Sequence, residues 1–132
     1  MTIEPLAVVE KAYALFRSGD TDAIVAMVSD EAEWTSVGPP DLFEVFGARK
    51  GRTGAADYFA KLRHHITPAQ NVAPAPFQFI ARGDTVVVQG HTTGIFSETG
   101  KPIDSDWVHI LTVKDGQITG YKEFVDSAQA VL

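Results

Sequence analysis

The sequence predicts an α+β fold, with helices laid over one face of a curved, mostly antiparallel sheet. Three observations predict it. Apolar side chains recur at helical spacing through the first half, as in Leu6, Val9, Ala12, Tyr13 and Phe16. The second half changes texture to four runs dominated by strand-forming residues: Phe77–Ala81, Thr85–Thr93, Ile103–Val113 and Gln117–Val125. Turn-forming clusters separate these runs, namely Arg82-Gly83-Asp84, Glu98-Thr99-Gly100 and Lys114-Asp115-Gly116. Helices followed by a meander bury one sheet face under the helices.

In chain order, Pro5–Arg17 reads as the first helix, because Pro5 suits a first turn and Ser18-Gly19 supplies a stop. Asp20 caps a second helix whose apolar stripe is Ile24, Val25, Met27 and Val28. Glu33–Val37 reads as a short strand ended by Gly38-Pro39-Pro40. A loop through Phe43 and Phe46 leads to Gly51-Arg52-Thr53-Gly54, a helix start with Thr53 as cap, and Ala55–His65 returns to helical period. Pro74 and Pro76 mark an extended connector before the strands. No repeat or linker interrupts residues 1–132, so one domain is expected.

Composition narrows the function classes. A net charge of −6 opposes binding to nucleic acid or to an anionic membrane surface, since both need clustered Lys and Arg. With no cysteine, thiol nucleophiles and Cys-ligated metals are excluded. The opening segment is too charged for a signal peptide and no apolar run has spanning length, so a cytoplasmic protein is expected. The histidines show no metal-type spacing with carboxylates, and Gly51–Gly54 lacks the pattern of a phosphate loop. His64-His65 reads as a cationic helix end. No metal or cofactor is expected.

The chemistry concentrates in Asp104–Asp126. Strand alternation puts Trp107, His109, Leu111 and Val113 on one face. Which residues of the next strand join them depends on the hairpin. A two-residue Asp115-Gly116 turn pairs Lys114 with Gln117, sets His109 opposite Lys122 and turns Glu123 away. A three-residue Lys114–Gly116 loop pairs Val113 with Gln117, with His109 opposite Tyr121 and Trp107 opposite Glu123. One residue of slip reverses the facing, and both registers are amphipathic.

Three stretches, VVEKAYALFRSGDTDAIVAMVSDEAEW, GRTGAADYFAKL and WVHILTVKDGQITGYKEF, resemble in order and spacing the SnoaL-like and ketosteroid-isomerase-like branch of the NTF2-like superfamily. The resemblance spans nearly the whole chain. It implies a cone formed by a curved sheet and three helices, a pocket at one end, and a homodimer packed through the outer sheet face. It also selects the three-residue loop, because His109 falls where ketosteroid isomerase carries an oxyanion-binding aspartic acid and Tyr121 and Glu123 fall at pocket positions. Trp34, Ser36, Phe46, Phe59, Phe79 and Trp107 are then expected to line the pocket with Tyr121.

Glu123 and His109 are the expected catalytic pair. A glutamate in an apolar cone needs a partner or a proton, and burial is expected to raise its pKa into a useful range. SnoaL-like cyclases carry an aspartate at about this position. The isomerase base maps to Ser36, which cannot hold the charge, and the isomerase tyrosine maps to Ala12, with Tyr13 about 100° around the helix. Steroid isomerisation is therefore not expected. Trp107 and His109 also displace the arginine and aspartate of limonene-epoxide-hydrolase-like members, and His91, on the more polar strand face, is expected outside the cone. Asp126 reads as a cap for a C-terminal turn. The expected ligand is a small apolar or aromatic carbonyl compound, undergoing cyclase, isomerase or dehydratase chemistry without a cofactor. The alternative is a noncatalytic binding module or dimeric scaffold.

Overall fold

The computed structural model describes residues 4–70 and 75–132; Pro74 of the connector lies outside them. The elements run α1 (Pro5–Arg17), α2 (Thr21–Ala26), β1 (Val28–Ser36), β2 (Gly47–Lys50), α3 (Gly51–His65), β3 (Ile66–Pro68), β4 (Gln78–Arg82), β5 (Thr85–Phe96), β6 (Pro102–Lys114), β7 (Gln117–Val125) and α4 (Ser127–Val131). The strands form one curled sheet in the order β2-β1-β7-β6-β5-β3, with β4 also on β5. Every pairing is antiparallel except β1 with β7. The fold is α+β, and α1 and α3 lie over the concave face, which holds Val86, Val88, Leu111, Val113 and Ile118 almost without exposure.

Local chemistry explains the elements. Asp20 caps α2 by accepting from the Ala23 amide at 3.1 Å. That helix stops at Ala26, and Val28 opens β1 instead of extending the helical stripe. Thr53 lies inside α3 and does not cap it, because the helix begins at Gly51. Gly51 has φ +69°, and a Cβ there would meet the Asp30 carbonyl oxygen at 2.7 Å, so the tight entry to α3 requires glycine. Asp126 sits at the α4 N-cap without a capping bond; its carboxylate instead accepts from the Gln129 side chain at 2.9 Å.

The β6–β7 hairpin matches neither register read from the sequence. Asp115 (φ 52°) and Gly116 (φ 77°) form the two-residue turn, with Lys114 opposite Gln117. Positive φ at both central residues is the signature of the hairpin turn whose twist suits the strands. Beyond Val113 opposite Ile118 the register shifts, and Thr112 faces Gly120. Thr119 is the extra residue of a β-bulge, held by its hydroxyl against the Thr112 hydroxyl (3.1 Å) and carbonyl (3.3 Å). His109 therefore pairs with Glu123, Leu111 with Tyr121 and Trp107 with Val125. The expected three-residue loop is corrected, yet the bulge brings His109 and Glu123 onto one face.

Candidate active site

Six buried side chains meet in one hydrogen-bonded cluster: Tyr13 from α1, Ser36 from β1, Tyr58 from α3, His109 from β6, and Tyr121 and Glu123 from β7. Parallel pairing of β1 with β7 puts Ser36 beside Glu123 and Trp34 beside Tyr121. Glu123 Oε1 accepts from the Ser36 hydroxyl at 2.8 Å. Its Oε2 accepts from the Tyr58 hydroxyl at 2.8 Å, from His109 Nε2 at 2.8 Å and from the Tyr121 hydroxyl at 3.2 Å. The other imidazole nitrogen, Nδ1, lies 2.5 Å from the Tyr13 hydroxyl.

Burial by itself pushes the Glu123 carboxyl up, but the hydrogen bond and charge of His109, with the Ser36 and Tyr58 donors, outweigh it. The group titrates below its ordinary value of 4.5. This corrects the expected rise: the apolar surroundings are offset by donors from four residues. Burial first, and then the negative charge of Glu123, push the phenols of Tyr13, Tyr58 and Tyr121 well above their ordinary 10.0. All three stay protonated; Tyr58 and Tyr121 donate to the carboxylate, and Tyr13 meets His109.

An ionised carboxylate only accepts, so the network assigns a proton to His109 Nε2. In neutral imidazole Nδ1 then accepts from the Tyr13 hydroxyl. In imidazolium the direction reverses, and the Tyr13 O–H is released. The rings are held by stacking: Trp107 lies 4.1 Å from His109 and Trp34 lies 4.2 Å from Tyr121, centroid to centroid.

Tyr13, Tyr58, His109, Tyr121 and Glu123 border a cavity of about 970 Å³ whose wall is otherwise mainly apolar. Trp34, Phe46, Phe59, Trp107 and Tyr121 line it together with His109 and Glu123. Two expected lining residues do not. Ser36 is screened by the carboxylate it bonds, and Phe79 packs edge-on against Tyr13 at 5.7 Å. Trp34 Nε1 is buried without an acceptor among the described residues. His91 lies on the outer sheet face, held by Asp106 (2.8 Å) and Asp104 (2.5 Å).

Tyr13 and Tyr58 were missed as site residues, although the sequence carried a signal for both. Tyr13 belongs to the apolar stripe of α1. A helix over a concave sheet buries an arc wide enough for both Ala12 and Tyr13, so an offset of about 100° does not exclude the second. Tyr58 sits with Ala55, Phe59 and Leu62 at helical spacing on the inward side of α3.

Residues 9–121 match the model of the SnoaL-like domain, and the chain belongs to that family. No curated protein matches it. Among solved structures it is similar to an NTF2-like protein from Burkholderia xenovorans, at 25% identity over 100% of this chain and 98% of that one, with a TM-score of 0.82. It is also similar in fold to a putative polyketide cyclase from Xanthomonas campestris (18% identity, 96% and 93% covered, TM-score 0.77). A third similar structure is TerC co-crystallised with polyporic acid (24% identity, 94% and 92% covered, TM-score 0.74). Among the described residues no helix is long and apolar enough to cross a membrane.

Proposed function

We propose that this protein binds a small, largely apolar carbonyl compound in its cavity and moves a proton on it, in cyclase, isomerase or dehydratase chemistry. The observation that carries this reading is the buried acid–base cluster in the wall of an otherwise apolar chamber of about 970 Å³. That volume sits at the upper end of the roughly 300–1,000 Å³ usual for ligand pockets. The co-crystallisation of TerC, which is similar in fold, with polyporic acid supports a small organic ligand.

The geometry favours His109 over Glu123 as the group that carries the proton. Both Glu123 oxygens are occupied by protein donors. The carboxylate is suited to fixing the imidazole and balancing its positive charge. In the step proposed, a C–H bond beside the substrate carbonyl breaks, its proton goes to His109 Nδ1, and the electron pair moves to the carbonyl oxygen. The Tyr13 hydroxyl, freed from Nδ1, donates to that oxygen. Return of the proton to another carbon completes an isomerisation; attack of the enolate carbon on a second carbonyl of the same molecule, whose π pair moves to its oxygen and takes the proton from His109, completes a cyclisation. No cofactor is needed.

The second reading is a noncatalytic ligand holder. The saturation of Glu123 favours it, because a fully satisfied carboxylate also serves as a structural anchor. A homodimer is proposed for either reading, through the outer sheet face where Ile80, Ile110 and Phe124 are exposed.

The test is a binding screen of aromatic and polyketide-like carbonyl compounds, followed by NMR of each bound compound in D₂O. Deuterium entering the carbon beside the carbonyl with the wild type, and not with His109→Phe, supports proton transfer. Tight binding without exchange selects the holder.

A further inference from the structure

At the end of α3, far along the helix from its entry at Gly51, two adjacent histidines meet a glutamate from the β5–β6 turn. His64 Nε2 and His65 Nδ1 each lie 3.5 Å from the same oxygen, Glu98 Oε1, and the three atoms fall within 4.8 Å of one another. Such separations are long for a hydrogen bond to either ring. They match a coordination edge instead: bonds of about 2.0–2.2 Å at the tetrahedral angle set neighbouring ligand atoms roughly 3.3–3.5 Å apart.

Glu44 adds an independent observation. Its Oε1 sits 2.6 Å from His65 Nε2, a true hydrogen bond that assigns a proton to that nitrogen. With Nε2–H committed to Glu44, Nδ1 is the nitrogen left to face the Glu98 carboxylate. A metal ion held by that nitrogen, His64 Nε2 and the carboxylate would bridge the three groups. A carboxylate on the far nitrogen of a histidine is also the usual way a metal-binding ring is oriented.

The frame is built by the fold. The Ser97 amide donates to the His65 carbonyl at 2.8 Å, the Thr67 and Ser97 hydroxyls are 2.9 Å apart, and Ile66 pairs with Phe96, which pins the turn carrying Glu98 to the helix end. Phe43 packs edge-on against His65 at 5.3 Å. The negative end of the helix dipole favours a cation there. His65 and Glu98 also border a second cavity, of about 270 Å³, which leaves room for a water or an anion as a further ligand.

We propose that His64, His65 and Glu98 bind a divalent transition-metal ion, with Glu44 as the carboxylate that positions His65. Two imidazoles and one carboxylate suit zinc, cobalt or nickel, whereas magnesium and calcium prefer oxygen-only sets. The bound ion would clamp the end of α3 to the β5–β6 turn.

The experiment is calorimetric titration of chelator-treated, tag-free protein with Zn²⁺ and with Mg²⁺, alongside the visible spectrum of the Co²⁺-loaded wild type. Expected are one zinc per chain, no heat from magnesium, and intense visible bands of low-coordinate cobalt. His64→Ala and Glu98→Gln should each weaken zinc at least tenfold, Glu44→Gln about 10–100-fold, and His91→Ala not at all. Absence of zinc binding overturns the proposal. So does binding that survives His64→Ala and Glu98→Gln, or that is lost only in His91→Ala, which would place the ion beside Asp104 and Asp106.

Discussion

Glu123 Oε2 lies 2.8 Å from His109 Nε2 across the β6–β7 pair, and both side chains are buried. Removing the carboxylate leaves His109, Tyr58 and Ser36 without their shared acceptor. Glu123→Ala should therefore cost about 3–5 kcal/mol of stability, as expected for breaking a buried pair. The nearly isosteric Glu123→Gln should cost about 1–3 kcal/mol. Urea midpoints of the three proteins check the order.

The same pair fixes a pH dependence. The folded pKa of Glu123 lies below its unfolded value of about 4.5, so the folded state binds this proton less readily than the unfolded chain. The stabilisation is fully present above the unfolded value and is lost as pH falls through the lower, folded one. The stability gap between wild type and Glu123→Gln should be constant near neutrality and shrink in acid below about pH 4.5. A gap unchanged down to pH 3 would contradict an ionised Glu123.

Tyr13 separates chemistry from packing. Its ring meets Phe77 and Phe79 edge-on and lies parallel to Trp107, contacts that Tyr13→Phe retains. The substitution should cost about 0.5–1.5 kcal/mol for one hydrogen bond. Proton exchange on a bound carbonyl compound should fall about 10²–10⁴-fold. Equal exchange rates in the two proteins would remove Tyr13 from the mechanism.

Gly90 shapes the chamber. It pairs with Trp107, and a Cβ on it would clash with the Trp107 ring. Gly90→Ala should displace the indole from the cavity wall and from Thr92, whose hydroxyl accepts from Trp107 Nε1 at 3.0 Å. A destabilisation of about 1–3 kcal/mol is expected, together with weaker ligand binding and a shifted tryptophan emission. Unchanged emission would mean that the ring is accommodated elsewhere.

Much of this fold was legible because periodicity survives in the chain. The stripe from Leu6 to Phe16 and the strand-forming runs around Gly83 and Asp115-Gly116 placed α1 and the meander nearly where they stand. The short β2, β3 and α4 carried no such pattern, since strands of three or four residues offer too little alternation to read. The β1 start was hidden because Val28 fits the stripe of α2 as well as a strand.

The site was legible in part for a different reason. His109 and Glu123 stood out as polar residues in apolar runs, but their pairing rests on one extra residue. Thr119 looks like any strand threonine, and a bulge leaves no compositional mark. Tyr13 and Tyr58 passed as core aromatics because a buried phenol and a catalytic phenol share the same helical spacing. The sign of the Glu123 shift was likewise invisible, because it depends on how many donors the tertiary structure delivers.

The Tyr13–His109 hydrogen bond joins residues 96 positions apart, and Ser36 and Tyr58 reach Glu123 across 87 and 65 positions. None of these contacts can form within a fragment of the meander or of the helices alone. Such nonlocal closure slows folding, since the chain loses loop entropy before the contacts reward it. It also makes the polar cluster a late event: until β7 docks between β1 and β6, Ser36, Tyr58 and His109 have no carboxylate to meet. A partly folded chain therefore presents an open, unwired sheet with no competence toward ligand, and acquisition of binding during refolding would time the docking of β7.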